Sequence, residues 1–373
     1  MGKTVNIHRE NMPGWFRESG LGIFIHWGPY SVPAYAPAGD MSALELLRTK
    51  GPEYLFANQP YAEWYQNSLR IPGSPVAEHH ARHYGDLGYE AFAARFRVSA
   101  RQVDAEQWAD IFARAGAQYV VLVTKHHDGF LLFDSRHKNP VRGEYQLDFD
   151  FTGELARACR ARKLRFGTYY SSLLDWTFTK EPIVRFSDMV LCNDNSRAYR
   201  DYCLGHWTEL IDRYSPDILW SDIGYPADRR LAGLFAYYYG RVPEGVVNDR
   251  WEQLPVLLRS SPGRALMDML AEREFRKGTE RTMRPARYYD YRTLEYSTEW
   301  TDIGCHFEMC RGMDKSFAYN RNSRPQDYVS PEDVRETIRS LRTVKGRLLL
   351  NVGPDEYGNI PEAQKRILES LAE

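Results

Sequence analysis

The sequence has few cysteines, no long apolar segment and no excess of charge of either sign. Its five cysteines are odd in number and include no C-x-x-C pair, which argues against a disulfide framework and against a zinc site. No stretch is long enough to span a bilayer, and the opening residues MGKTVNIHREN lack the apolar core of a signal peptide. We therefore expect a cytoplasmic protein, or a secreted or lysosomal one if a leader has been removed.

The charge balance disfavours two classes of partner. The 49 Lys and Arg residues face 50 Asp and Glu residues, for a net charge of -1 at pH 7. A protein whose main partner is nucleic acid or an anionic membrane normally carries a basic run, and this sequence has none. With 373 residues, 43% of them hydrophobic, the chain can bury a sizeable core. A homo-oligomer is possible.

Two common catalytic motifs are also missing. No G-x-G-x-x-G opens a helix after the first apolar run, which counts against dinucleotide binding. No G-x-S-x-G elbow presents a serine nucleophile, and no cysteine stands at the end of an apolar run before a helix.

What the sequence does contain is a series of short, continuous apolar runs. They are not alternating, as expected for parallel strands whose two faces are both covered. The runs are 22-GIFIHWG-28, 119-YVVLVTKHH-127, 165-RFGTYYS-171, 218-ILWSD-222, 246-VVND-249 and 347-RLLLNVG-353.

Helical patterns separate these runs. Apolar residues recur with helical spacing in 104–118, in 200–214 and from about residue 361 onward. This alternation over more than 300 residues predicts a (β/α)8-like, TIM-type barrel. We expect one catalytic barrel domain over 1–373. The charged segment 252–287 breaks the rhythm and is predicted to be a long loop or a helical excursion.

Polar side chains follow the predicted strands where each strand ends. In a parallel barrel these ends converge on one rim, which is where the chemistry of such barrels is found. The residues are His26, His126, His127, Tyr169, Asp222 and Arg250.

This cluster leaves two kinds of chemistry open. A metal is possible but not favoured, because neighbours such as His126 and His127 point to opposite faces unless the strand has already bent into its loop. Carboxylates are favoured: a glycosidase needs one ionised and one protonated carboxyl group. Asp222 would be the ionised member beside Arg250. Candidates for its partner are Glu295, Glu308 and Glu63.

At this point the sequence resembles the retaining α-L-fucosidases of glycoside hydrolase family 29. The resemblance covers roughly residues 10 to 373, with 252–287 as its main gap. It rests on the segments GIFIHWGPYSVPAY, AEWYQNS, FRVSARQVDAEQWADIFARAGAQYVVLVTKHHDGF, GTYYSSLLDW, YSPDILWSD, VVNDRW, FEMCRGMDKSFAYN and LLLNVGP.

The resemblance implies an exo-acting enzyme that releases α-L-fucose from fucosylated glycans by double displacement, without a metal or other cofactor. Asp222 matches the nucleophile of the family, and Glu295 falls where a subset of the family has its acid/base. Glu308 is expected to be structural. The residues matched to substrate binding are His26, Glu63, Trp64, His126, His127, Tyr169, Trp220, Arg250 and Phe317.

Two further readings remain open. One is a metal-dependent barrel hydrolase using His26, His126, His127 and Asp222; the other is a fucose-binding protein without catalysis. Many relatives also carry a β-sandwich after the barrel, and we expect this chain to contain the barrel alone.

Overall fold

The computed structural model describes residues 12–276, 286–297 and 300–371. Its centre is one parallel sheet of eight strands in the spatial order β5-β4-β3-β2-β1-β8-β7-β6. The strands are β1 Leu21–Ile25, β2 Tyr119–Lys125, β3 Arg165–Ser171, β4 Ile218–Asp222, β5 Val246–Val247, β6 Arg292–Glu295, β7 Phe307–Gly312 and β8 Gly346–Val352.

The sheet curls so that its two end strands, β5 and β6, approach each other. Residues just before β6 connect them: Asp290 donates its backbone N–H to the carbonyl of Val247 (2.9 Å) and accepts the N–H of Val247 on its carboxylate (2.8 Å). Asp249 then accepts from Arg292 (2.8 Å) and from the N–H of Thr293 (3.0 Å). The predicted (β/α)8-like barrel is therefore confirmed. Between β5 and β6, one backbone hydrogen bond and several bonds to Asp side chains stand in place of a regular ladder.

Helices cover the outside of the barrel. They are α1 Gly14–Glu18, α2 Ala43–Lys50, α3 Pro52–Ala57, α4 Tyr65–Leu69, α5 Pro75–Tyr84, α6 Tyr89–Ser99, α7 Ala105–Arg114, α8 Phe151–Ala161, α9 Asp188–Leu191, α10 Arg197–Tyr214, α11 Leu231–Arg241, α12 Ser261–Arg276, α13 Pro331–Thr343 and α14 Glu362–Leu371. None of the helices in the described ranges is long and apolar enough to cross a bilayer.

The three helices predicted from periodicity are present as α7, α10 and α14. Helix α7 begins where Asp104 accepts the backbone N–H groups of Glu106 (2.9 Å) and Gln107 (3.2 Å). It stops before Gly116, whose φ of 79° favours glycine. The helix is therefore shorter than 104–118, as is usual at frayed ends.

Strands β6 and β7 were not among the six predicted runs. Each lies in a segment with charged residues inside it, so the continuous apolar pattern is weak there. Both become strands through pairing with their neighbours: β7 pairs with β8 over six residues and β6 pairs with β7 over four.

The segment 252–287 contains a short 3-10 helix, Val256–Arg259, and then α12. Ser187 binds Asp268 of α12 through its N–H (2.9 Å) and its hydroxyl (2.7 Å). Residues 277–285 of this segment lie outside the described residues. The single catalytic domain over 1–373 stays a prediction.

Inward-facing side chains fill the barrel interior with one apolar cluster. Its members include Phe16 from α1, Phe24, Tyr119, Val121, Tyr169, Ile218, Trp220, Tyr291 and Leu349. This packing lies below the rim where the carboxyl ends of the strands lie, which is where barrels of this kind bind their ligands.

Candidate active site

A cavity opens at the carboxyl ends of the strands, and the structure brings every predicted site residue to its wall. Its space, including the open mouth, is about 1620 Å³. The predicted residues that line it are His26, Glu63, Trp64, His126, His127, Tyr169, Trp220, Asp222, Arg250, Glu295 and Phe317.

Asp222, the last residue of β4, is held by donors on both carboxylate oxygens. Oδ2 accepts the hydroxyl of Tyr169 (2.7 Å), and Oδ1 accepts Nη1 of Arg250 (2.9 Å) and the N–H of Ile223 (2.8 Å). Burial opposes ionisation, but the charge of Arg250 and the hydrogen bonds from Tyr169 and Arg250 outweigh it and hold the pKa of Asp222 below its ordinary value. The group is therefore an anion at neutral pH.

Arg250 follows β5 and points into the cavity. Its Nη1 contacts Asp222, its Nη2 lies 2.5 Å from Oε1 of Glu295, and its guanidinium lies 5.1 Å from the ring centre of Trp220. Asp249, the preceding residue, also lines the cavity and binds Arg292 instead.

Glu295 is the last residue of β6, so it reaches the same rim as Asp222 from the opposite end of the sheet. Its side chain is 33% exposed, against 12% for Asp222. One carboxylate is thus enclosed and charged, and the other can meet water or a leaving group at the mouth.

His126 and His127 both reach the cavity because β2 ends at Lys125. The pairing with β3 is irregular between Val123 and Lys125, so the two histidines lie beyond the regular strand. The alternation that would place neighbours on opposite faces therefore no longer applies. Gly129 (φ 82°) completes the turn beside Asp175, where a Cβ atom would lie 2.5 Å from a carboxylate oxygen.

Hydrogen bonds define the proton position on His127. Ser171 donates its hydroxyl to the carbonyl of Leu174 (2.8 Å), so it accepts from Nδ1 of His127 (2.6 Å). Burial lowers the pKa of His127 to about 4, and the ring is neutral at pH 7. Its Nε2, 3.8 Å from Asp222, is therefore an acceptor.

His26 is fixed in the same way by Asn351 at the end of β8. The Asn351 amide donates to the carbonyl of Phe317, so its oxygen faces Nδ1 of His26 (2.6 Å). Burial lowers the pKa of His26 to about 4. The pKa of His126 is also lowered by burial, and its Nδ1 has no hydrogen-bond partner among the residues that the structure describes.

Glu63 lies in the short 3-10 turn Ala62–Trp64 and is buried. Its Oε2 accepts the N–H of Ala318 (2.9 Å) and the hydroxyl of Ser316 (3.4 Å). Burial raises the pKa of Glu63 to about 7. This carboxyl is locked to backbone, which suits a ligand-binding group better than a mobile proton carrier.

Aromatic rings form the rest of the wall. Tyr169 stacks on Trp220 at 5.2 Å, and Phe317 lies 5.1 Å from His26. Trp64 meets His127 edge-on at 5.3 Å. Together these rings give the polar groups an apolar surround, which strengthens each charge interaction.

Glu308 is fully buried in the barrel interior, not on the cavity wall. It accepts Nε1 of Trp220 (2.9 Å) and the hydroxyl of Tyr119 (2.7 Å). It therefore holds Trp220 in place, in agreement with the structural role expected of it.

The histidines are not arranged as metal ligands. Within the described ranges, no group of three or more His, Cys, Asp or Glu side chains has the geometry to hold a metal ion. The metal-dependent alternative gains no support from this geometry.

Sequence reasoning missed four residues that shape the site. Tyr61 and Tyr296 stack on each other at 6.0 Å and flank Phe317. Ser171 and Asn351 orient the histidines. Ser171 and Asn351 each stand near the end of a predicted strand, which was a usable signal; nothing in the local pattern marks Tyr61.

A parallel barrel with an enclosed carboxylate, a second accessible carboxylate and an aromatic-lined cavity is the architecture of a glycoside hydrolase. The sequence model of the alpha-L-fucosidase family matches residues 2–373. The chain belongs to the alpha-L-fucosidase family, a family of glycoside hydrolases.

Curated relatives and solved structures agree. The chain is 29% identical to tissue alpha-L-fucosidase of Macaca fascicularis over 96% of this chain and 66% of the relative. It is similar to a Thermotoga maritima alpha-fucosidase in complex with a mechanism-based inhibitor (40% identity, TM-score 0.78, 97% of this chain and 73% of that one). A complex of the Thermotoga maritima enzyme with fucose matches at 39% identity, with the same TM-score and coverage. The chain thus spans about two thirds of the length of the curated relative.

Proposed function

We propose that this chain is an exo-acting, retaining α-L-fucosidase that releases α-L-fucose from fucosylated oligosaccharides or glycoconjugates. The observation that carries the proposal is the pairing of Asp222 with Glu295 through Arg250 in the same cavity. The fucose complex of the Thermotoga maritima relative supports the choice of sugar.

In the first step, Asp222 attacks the anomeric carbon while the bond to the leaving oxygen breaks. Glu295 protonates that oxygen, so the aglycone departs as a neutral alcohol and a covalent fucosyl-enzyme remains. Arg250 and Tyr169 keep Asp222 ionised until it attacks. Before this step Glu295 must take up a proton and exchange its contact with Arg250 for one with the leaving oxygen.

In the second step, Glu295 takes a proton from water, and the oxygen of that water attacks the anomeric carbon. The bond to Asp222 breaks and its carboxylate is regenerated. The two inversions give overall retention. The exposure of Glu295 supports this step because water can reach it at the mouth.

Sugar recognition follows from the proton positions in the cavity. His26 and His127 offer Nε2 as an acceptor, and Glu63 offers carboxyl oxygens, so hydroxyl groups of the sugar donate to them. Phe317 and Trp220 offer apolar rings to the methyl group of a 6-deoxy sugar, where a hydroxyl would lose its partners.

The remaining predictions concern partners and location. The proposed partner is a fucosylated glycan; a homo-oligomer would be measured by light scattering of the purified protein. The cytoplasmic location stays a prediction, which fractionation of cells tests directly.

The test is release of p-nitrophenol from p-nitrophenyl α-L-fucoside, with and without EDTA. We expect turnover that EDTA leaves unchanged and that Asp222→Gly lowers by roughly 10³-fold or more. Azide should restore turnover in Asp222→Gly and give β-fucosyl azide, whereas the surface variant Asp86→Gly should match wild type. Loss of turnover in EDTA, or near wild-type activity of Asp222→Gly, would refute the mechanism.

A further inference from the structure

Lys125 is the last residue of β2 and directly precedes the two histidines of the cavity. Its side chain is fully buried, yet Lys125 itself does not line the cavity. Burying an ammonium group is costly unless its donors and its charge are satisfied. The partners of Lys125 therefore indicate what this lysine holds in place, and the mechanism given above does not use it.

Lys125 binds the end of β3 and the loop that follows it. Its Nζ donates to the carbonyl of Ser171 (2.7 Å) and, over a longer distance, to the carbonyl of Leu174 (3.5 Å). The same ammonium group lies 3.1 Å from Oδ2 of Asp175, whose side chain is as buried as its own. Because these three contacts fall within five consecutive residues, Lys125 fixes the path of the loop.

The same loop holds His127 at two points. Oγ of Ser171 lies 2.6 Å from Nδ1 of His127, and Trp176 donates its backbone N–H to the carbonyl of His127 (2.7 Å). Between these two points stands Asp175, the counter-ion of Lys125. Both the ring and the backbone of His127 are thus positioned by a loop that Lys125 fixes.

The hydroxyl of Ser171 has one hydrogen, and its direction decides the tautomer of His127. That hydrogen is donated to the carbonyl of Leu174 (2.8 Å), so the hydroxyl oxygen accepts from Nδ1 of His127. The carbonyl of Leu174 is also a partner of Lys125. If this carbonyl turned away, the hydroxyl would donate to Nδ1 instead, and the proton of the neutral ring would move to Nε2.

The neighbouring carboxylate favours the opposite tautomer. Nε2 of His127 lies 3.8 Å from Oδ2 of Asp222, an anion that would accept an N–H from this position. Such a bond would turn Nε2 from an acceptor for a sugar hydroxyl into a donor. The acceptor state therefore depends on the hydrogen bonds at Nδ1, on the side of the ring where Lys125 acts.

Lys125 also affects the charge of the ring. Burial lowers the pKa of His127 most, Asp222 raises it, and the ammonium group of Lys125 lowers it further. Removing that ammonium charge therefore raises the pKa of His127. The other side chains that face the ring are uncharged at neutral pH: His26, His126, Trp64 and Trp176.

We propose that Lys125 is a positioning residue that keeps the proton of His127 on Nδ1, so that Nε2 accepts a hydroxyl group of the sugar. Lys125 touches neither the sugar nor a reacting atom, and its effect passes through Ser171 and Leu174. This inference rests on the proposed fucosidase function, because the hydroxyl group that Nε2 accepts belongs to fucose.

Nitrogen-15 NMR of the imidazole rings tests the tautomer, since a protonated ring nitrogen and an acceptor nitrogen have different chemical shifts. We expect the proton of His127 on Nδ1 in wild type, with the signal assigned by its loss in His127→Gln. Lys125→Met, of similar length and without charge, should shift the proton toward Nε2 and raise the pKa of the ring. A proton on Nε2 in wild type, or an unchanged tautomer in Lys125→Met, would overturn the proposal.

Two further variants separate the tautomer from the stability of the fold. Lys125→Met leaves Asp175 buried without its counter-ion, whereas Lys125→Met/Asp175→Asn removes both charges and should show the same change of tautomer. Glu209→Gln is the matched control, since Glu209 is buried and paired with Arg213 (3.2 Å) but does not line the cavity. Glu209→Gln should keep the wild-type tautomer. The same change of tautomer in Glu209→Gln would overturn the proposal.

Fucose binding, measured by calorimetry, tests the route from Lys125 to the sugar. Lys125→Met should weaken binding by about fivefold, the equivalent of about one hydrogen bond. Lys125→Met/Ser171→Ala should bind within about twofold of Ser171→Ala alone, because both changes act through His127. Fully additive losses would overturn this route. If wild type neither binds fucose nor hydrolyses fucosides, the proposed function fails, and the tautomer of the free protein still decides the role of Lys125.

Discussion

Asp222 and Glu295 are held by the same guanidinium: Arg250 lies 2.9 Å from the first carboxylate and 2.5 Å from the second. The two residues are 73 positions apart and end two strands, β4 and β6, that are not neighbours in the sheet. The cation lowers the cost of placing two negative charges in one cavity. Because both carboxylates contact the same guanidinium, a movement of Glu295 relative to Arg250 changes the charge that Asp222 experiences.

Replacing Arg250 by Gln should lower kcat/KM by about 10²-fold, because the guanidinium stabilises charge at the reacting carboxylates. Arg250 holds the pKa of Asp222 below its ordinary value, so its removal raises that pKa. The acid limb of the pH profile of kcat/KM should therefore move to higher pH. A lower rate with an unmoved acid limb would show that Arg250 only binds substrate.

Replacing Glu295 by Ala should slow the hydrolysis of fucosides with poor leaving groups by about 10²–10⁴-fold, because general acid catalysis is lost. Dinitrophenyl α-L-fucoside, whose leaving group needs no proton, should be affected far less in its first step. Hydrolysis rates across a series of aryl fucosides measure how strongly the rate depends on the quality of the leaving group. Glu308→Gln is the matched control: it should change stability without altering how the rate depends on the leaving group. If Glu308→Gln altered that dependence and Glu295→Ala did not, Glu308 would be the acid/base and Glu295 would not.

Replacing Asn351 by Ala should raise KM by about fivefold to tenfold, the equivalent of one hydrogen bond of about 1 kcal/mol, with a smaller change in kcat. Asn351 keeps the proton of His26 on Nδ1, so that Nε2 remains an acceptor for the sugar. Ser171→Ala tests the corresponding hydrogen bond at His127, between Nδ1 and the hydroxyl of Ser171. Fucose inhibition constants for both variants provide the measurement, and unchanged constants would remove these residues from recognition.

Glu63→Gln should become more stable relative to wild type as pH rises from 5 to 8. Burial raises the folded-state pKa of Glu63 from 4.5 to about 7, so the unfolded chain binds fewer protons than the folded one between these values. Wild type therefore loses stability across this window, by at most about 3 kcal/mol, and Gln does not titrate. Urea unfolding of both proteins at pH 5 and pH 8 measures the difference. A difference independent of pH would place a compensating cation near Glu63.

Sequence alone determined the barrel and most of the site. Continuous apolar runs such as 119-YVVLVTKHH-127 and 218-ILWSD-222 predict buried parallel strands. Because parallel strands of a barrel end at the same rim, the last residues of these runs must lie there together. Local pattern is sufficient there because burial on both faces leaves a strong signal within a few residues. The assignment of Asp222 and Arg250 to one cavity follows from that rule.

Only the tertiary structure decided the remainder. Strands β6 and β7 exist because β8 provides a pairing edge, although their own sequences carry charged residues. Asn351 and Ser171 define the proton positions of His26 and His127, which lie far away in sequence. Arg250 forms a salt bridge with Glu295 and not with its neighbour Asp249. Such choices depend on distances across the barrel. Local propensity and periodicity do not encode them, because each partner is drawn from a strand or loop folded elsewhere in the chain.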